Sequence, residues 1–127
     1  METRDSENPH KGASGLRRIW NALFYTIDGL KAAYQHEDAF RQELWLAVVL
    51  LPLAFVLPAS GYGRALMVGS VLIVLVTELL NSAIEAAVDR ISLDHHVLAK
   101  RAKDIGSAAV FLSLVNVVAV WALVLLG

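Results

Sequence analysis

The 127-residue chain has no cysteine, which excludes a disulfide framework, a thiolate metal centre and a cysteine nucleophile. Redox chemistry is disfavoured on the same ground. Charge is scarce as well: 18% of residues are charged and the formal net charge is -1, so there is no bulk attraction to nucleic acid, and none is expected as a partner. The glycine-rich GxxxxGK[ST] phosphate loop is missing. The only close glycine pair near a turn, Gly61 and Gly63, lies on what the charge pattern below makes the external side. What fills the composition instead is apolar. At 57% hydrophobic residues the chain exceeds the roughly 45–50% usual for soluble domains, so most of it belongs in a membrane.

Residues 1–15, METRDSENPHKGASG, are polar and mixed in charge, and they read as a disordered tail rather than a signal peptide. From Leu16 the pattern turns helical. Leu16, Ile19, Trp20, Leu23, Phe24, Ile27, Leu30 and Tyr34 form one stripe, with Arg17, Arg18, Asp28 and Lys31 off it, which predicts an amphipathic helix over 16–35 lying in the headgroup plane. Three apolar stretches follow, at about 42–60, 64–90 and 105–126, each long enough to cross ~30 Å of hydrocarbon. Pro52 predicts a kink in the first, PASGYGR a turn after it, and residues 90–104 a loop or the overhanging ends of two helices. The fold class is therefore an all-α membrane protein: three transmembrane helices and an N-terminal amphipathic surface helix, with residues 16–127 forming one membrane domain.

Orientation follows from the basic residues. Arg4, Lys11, Arg17, Arg18, Lys31 and Arg41 precede the first span, and Arg90, Lys100, Arg101 and Lys103 join the second to the third. Arg64 alone lies on the other side. The positive-inside rule then places the amino terminus and the 90–104 segment in the cytoplasm, with the carboxyl terminus external.

The second span runs into TELLNSAIEAAVDR. At ~100° per residue, Asn81, Glu85 and Asp89 fall about -60°, -20° and +20° from Glu78, so the four make a single polar stripe. A rise of ~1.5 Å per residue from Arg64 puts Glu78 about 21 Å and Glu85 about 31 Å along the helix. Glu78 is thus within the cytoplasmic leaflet, Glu85 at its surface and Asp89 beyond it. An ionisable group in hydrocarbon costs at least ~2.5 kcal/mol on insertion scales, which marks Glu78 as functional unless it only fixes helix packing. Glu37, Asp38, Arg41 and Glu43 before the first span, and Lys100, Arg101, Lys103 and Asp104 before the third, share its side of the membrane. Carboxylates converging with cations nearby suit Mg2+ and a polyphosphate, since Mg2+ takes one or two carboxylates plus phosphate oxygens. The adjacent His95 and His96 are a weak metal signal, because neighbours on a helix face apart.

Three segments, EDAFRQE, ELLNSAIEAAVDR and AKRAKDIGSAAV, taken in this order, resemble the prokaryotic diacylglycerol kinase family, and the likeness covers about residues 16–126. That resemblance implies a homotrimer with sites shared between neighbouring subunits, in the bacterial inner membrane, phosphorylating a lipid alcohol with ATP and Mg2+. It implies Glu78 as the base toward the lipid hydroxyl, and Glu37 with Glu85 as holders of the metal on the ATP phosphates. Arg18, Tyr25, Asp94, His95, His96, Lys103 and Asp104, together with Glu37 and Glu85, would contact ATP; Asn81, Glu43 and Asp89 would support the pocket. The chain departs from the family in carrying His95 where an aromatic residue often precedes the histidine.

The expected reaction is ATP-dependent phosphorylation of diacylglycerol to phosphatidic acid, which returns the lipid to phospholipid synthesis. Undecaprenol is the alternative acceptor on the same scaffold. From another class, a small multidrug and proton exporter also uses an intramembrane glutamate, although typically with four spans and the acid in the first. A non-catalytic membrane scaffold would need none of the stripe's chemistry.

Overall fold

Apolar residues at helical spacing with no proline between them fold as α1, Gly15–His36. Its stripe is exposed from Leu16 at 81% to Tyr34 at 39%, and within it Trp20 and Phe24 meet edge to face with centroids 5.3 Å apart. The structure is a computed structural model that describes residues 15–91 and 97–127. These fall into two units, one ending at His36 and one running from Glu37 to Gly127. The tail expected at 1–15 lies, but for Gly15, outside the described residues.

In the second unit α2 is Asp38–Val56, α3 is Gly61–Ile91 and α4 is Val97–Leu126. All three are long and apolar enough to cross a membrane. The chain is therefore an all-α membrane protein. Helix α3 is the middle of the unit and packs against both α2 and α4. At 31 and 30 residues, α3 and α4 reach about 45 Å, well beyond ~30 Å of hydrocarbon, so both must project from it. Of the two readings of the 90–104 segment the described residues show the overhanging ends of two helices: α3 continues to Ile91, α4 begins at Val97, and residues 92–96 lie outside the described residues.

The turn between α2 and α3 is tighter than PASGYGR suggested, because Gly61 and Gly63 already belong to α3. Ser60 caps that helix, its Oγ accepting from the Gly63 N–H at 3.0 Å. Pro58 cannot extend α2, whose last backbone bond runs from the Leu57 N–H to the Leu53 carbonyl at 2.9 Å. Pro52 sits inside α2, which runs through it. The arginine at this turn has a structural use: the Arg64 guanidinium donates to the carbonyls of Ala54 at 2.9 Å and Ala59 at 3.0 Å, and also to those of Phe55 and Leu57. Helix ends leave four carbonyls without partners, and in a membrane such groups are costly. Arg64 satisfies two of these, on Ala54 and Phe55, and two more in the turn, on Leu57 and Ala59, while joining α2 to α3.

Beyond this turn the core is apolar and fitted. Ala47 and Ala54 of α2, Met67 and Val71 of α3 and Trp121 of α4 form one buried cluster. The Trp121 indole Nε1–H reaches the Met67 carbonyl at 3.3 Å and Ser70 Oγ at 3.2 Å, while the Ser70 hydroxyl donates to the Met67 carbonyl at 2.7 Å. Helices in lipid associate by close packing and interhelical hydrogen bonds rather than by exclusion of water. Gly63 serves that packing, since a Cβ there would lie 2.8 Å from Val124 Cγ1.

Candidate functional site

Toward the other end of the same three helices the core turns polar. Glu78 is 4% exposed, Asn81 7% and Ser82 9%, whereas Glu85 is half-buried and Asp89 exposed. Burial thus falls along the α3 stripe in the order its spacing predicts. Ser82, about 40° from Glu78, lies in the same arc and is not among the residues named from sequence. Its position in the stripe was the available signal; serines in helices usually bond their own preceding turn, which makes them easy to pass over.

Side chains from α2 close on this stripe. Glu37, the residue just before α2, and Glu85 both press their negative charge on Glu78, and Glu78 in turn acts on Glu43. Four carboxylates are therefore near enough to repel one another in a poorly solvated place. Glu43 lines a crevice with Leu46, Ala47, Leu50, Val71, Val74 and Val117, and its Oε2 is buried without a hydrogen-bond partner. Asn81 Oδ1 and Ser82 Oγ are buried and unpartnered as well. The one bond within the stripe runs from Asn81 Nδ2 to Glu85 Oε1 at 3.3 Å, and it turns the Glu85 carboxylate toward Asn81. Unpaired buried polar atoms are uncommon in folded proteins and each costs free energy, so their concentration here points to a partner from outside the chain.

The cations form a rim. Lys103 Nζ of α4 lies 2.6 Å from Asp89 Oδ1 of α3 and also feels the charge of Glu85. Lys100 Nζ lies 2.6 Å from Asp104 Oδ2 along α4, and Arg41 pairs with Asp38 at the start of α2. Lys103 and Asp104 are thus each partnered with another residue rather than turned to a common ligand. Such exposed pairs gain little in water and exchange readily for a phosphate. Among the described residues no three His, Asp or Glu side chains are grouped tightly enough to enclose a metal ion alone. Arg18 and Tyr25 are exposed on α1. Asp94, His95 and His96 lie outside the described residues.

The structure therefore brings together Glu37, Glu43, Glu78, Asn81, Glu85, Asp89 and Lys103 in the second unit. The small residues at the start of α4 divide. Gly106 is buried against Asn81, while Ser107, Ala108 and Ala109 are exposed.

Comparison with known proteins sharpens what this arrangement serves. A family model described as prokaryotic diacylglycerol kinase matches residues 24–125. The diacylglycerol kinase of Pseudomonas aeruginosa is 53% identical over 122 residues, covering 96% of this chain and 99% of that protein. Those of Haemophilus influenzae, 48% identical over 85% of this chain and 92% of the relative, and Escherichia coli K12, 43% over 88% and 92%, are similar along nearly their whole lengths.

Proposed function

Since the chain belongs to the prokaryotic diacylglycerol kinase family, we propose that the polar end of its three-helix unit is where ATP phosphorylates diacylglycerol to phosphatidic acid. The protein is a diacylglycerol kinase. The observation that carries the placement is Glu78: a carboxylate 4% exposed on a helix able to span a membrane, with Glu85 seven residues further along the same stripe. A lipid hydroxyl reaches the depth of Glu78 without its acyl chains leaving the hydrocarbon, while a soluble nucleotide meets Glu85 nearer the surface.

In this reading Glu78 accepts the proton of the lipid hydroxyl as its oxygen attacks the γ-phosphorus of ATP. A new O–P bond forms, the bond from the γ-phosphorus to its β-bridging oxygen breaks, and ADP leaves. General-base action of this kind contributes typically ~10²–10⁴-fold. Glu43 lies close enough to feel the charge of Glu78 and supports the pocket from α2. Lys103, freed from Asp89, and Lys100, freed from Asp104, neutralise phosphate charge, and Asp104 orients the nucleotide. By the family resemblance Arg18, Tyr25, Asp94, His95 and His96 are candidates for further nucleotide contacts.

The residues fit Mg2+. The available donors are hard carboxylate oxygens, Glu37 and Glu85 share one electrostatic neighbourhood through Glu78, and the mutual repulsion of these acids is relieved by a divalent cation. Glu37 and Glu85 would hold the ion, which supplies neutralisation of the β- and γ-phosphate charge. Two carboxylates would suffice, since Mg2+ leaves positions for phosphates and water.

Further parts of the same reading concern placement. Helix α1 lies in the headgroup plane on its exposed apolar stripe, the polar end faces the cytoplasm of a bacterial inner membrane, and the carboxyl terminus is external. The enzyme works as a homotrimer whose neighbouring subunits share sites. The family and its named relatives favour diacylglycerol over undecaprenol, and phosphoryl transfer over drug and proton exchange or a scaffold role. Purified protein given ATP, Mg2+ and either diacylglycerol or undecaprenol tests this directly. Faster phosphorylation of diacylglycerol is expected, and a clear preference for undecaprenol would overturn the assignment.

A further inference from the structure

Gly106 occupies a position where the structure has no room for a side chain. A Cβ built there collides with Asn81 Oδ1 and would stand 3.1 Å from Asn81 Cγ. By contrast Gly69, on the span shared with Asn81, would meet nothing within 4 Å. Among the described residues the Asn81 carboxamide, 7% exposed, makes a single bond, from Nδ2 to Glu85 Oε1; its oxygen is buried and bonds to none of them. No second hydrogen bond therefore sets the plane of the amide. What holds it is the gap in α4 at Gly106.

We propose that Gly106 is a positioning residue for phosphoryl transfer: its missing side chain seats the Asn81 carboxamide, which in turn aims the Glu85 carboxylate. The inference rests on the placement of Glu85 at the ATP phosphates proposed above. The steric step is direct. A methyl at 106 overlaps the amide oxygen, the far end of a side chain, while α3 and α4 are packed against each other as whole helices, so the side chain moves more readily than the helices. Rotation of the amide away from α4 takes Nδ2 off Glu85, and a carboxylate without that donor is no longer fixed toward its ligand. Outer partners of this kind typically change metal affinity or activity about 10–100-fold.

The effect is confined to the nucleotide side. Glu78 precedes Asn81 on α3 and is not bonded to it, so Gly106→Ala leaves the KM for diacylglycerol within twofold while raising the KM for ATP about tenfold. A general loss of folding lowers the active fraction and moves neither KM. Binding without turnover separates the causes further. In the full-length protein in lipid nanodiscs, the Kd for a non-hydrolysable ATP analogue with Mg2+ is measured by equilibrium dialysis for wild type, Gly106→Ala, Asn81→Ser and the double variant. Gly106→Ala and Asn81→Ser each weaken binding about tenfold, and the double variant is no weaker than Asn81→Ser within twofold, because serine has already vacated the space the methyl takes. Should Gly106→Ala alone fail to fold, the two serine variants still decide, since both have room at 106.

Multiplying losses in the double variant, or wild-type binding by Gly106→Ala, would overturn the positioning role. Wild-type binding and turnover by both Asn81→Ser and Glu85→Gln would instead refute the site assignment on which it rests.

Discussion

The two ends of the three-helix unit are built by the same helices on opposite principles. Around Trp121 every polar atom mentioned has a partner: the indole N–H bonds Met67 and Ser70, Ser70 bonds Met67, and Arg64 closes the carbonyls that end α2. Around Glu78 the buried atoms Glu43 Oε2, Asn81 Oδ1 and Ser82 Oγ have none, and acids from two helices repel one another. The first end uses its side chains to hold the helices together. The second leaves buried polar atoms unpaired, which costs stability and suits the ligand site proposed above.

Substitutions at each end test this contrast. Short of removing Glu78 itself, the largest effect is expected from Glu85→Gln: the Mg2+ concentration for half-maximal phosphorylation rises about 100-fold, at an unchanged melting temperature. A Mg2+ titration of initial rates checks this; an unchanged titration curve would put the metal elsewhere. Next comes Trp121→Ala, which removes the centre of the fitted end and costs about 3 kcal/mol of stability, while ATP and lipid KM values of the folded fraction stay near wild type. Thermal unfolding in detergent reads the first quantity and steady-state kinetics the second.

Smaller again is Trp121→Phe, which keeps most of the ring but loses both indole bonds. About 1 kcal/mol is expected, measured by the same unfolding curve. The smallest effect has the opposite sign. Ser82→Ala removes a buried hydroxyl that bonds nothing, so it raises the melting temperature slightly, by an amount equivalent to at most about 1 kcal/mol. A clear drop would show that Ser82 has a structural partner and would blur the distinction between the two ends.

Much of the polar end was legible in the sequence because a helix repeats every 3.6 residues. That period alone placed Glu78, Asn81, Glu85 and Asp89 on one face, and distance along the helix ordered their burial. The same period drew the exposed stripe of α1, and apolar length marked the three spans. What periodicity cannot carry is contact between distant segments. Trp121 bonds to a carbonyl 54 residues away, Lys103 pairs with Asp89 across the interhelical connection, and Asn81 fits against α4 only because position 106 lacks a side chain. Arg64 is the sharpest case. Sequence made it the lone external charge in an orientation argument, whereas the structure uses it to complete the end of α2. Its charge was visible from sequence, but the carbonyls it satisfies became visible only once the turn had folded.

The most direct test of the division between the two ends is Glu78→Gln, with turnover and thermal unfolding measured on the same purified sample. Phosphorylation of diacylglycerol is expected to fall by about 10³-fold, within the range for loss of a general base, while the melting temperature stays equal to or above that of the wild type. Retained turnover, or turnover lost together with a Trp121→Ala-like fall in stability, would contradict it and make Glu78 a packing residue.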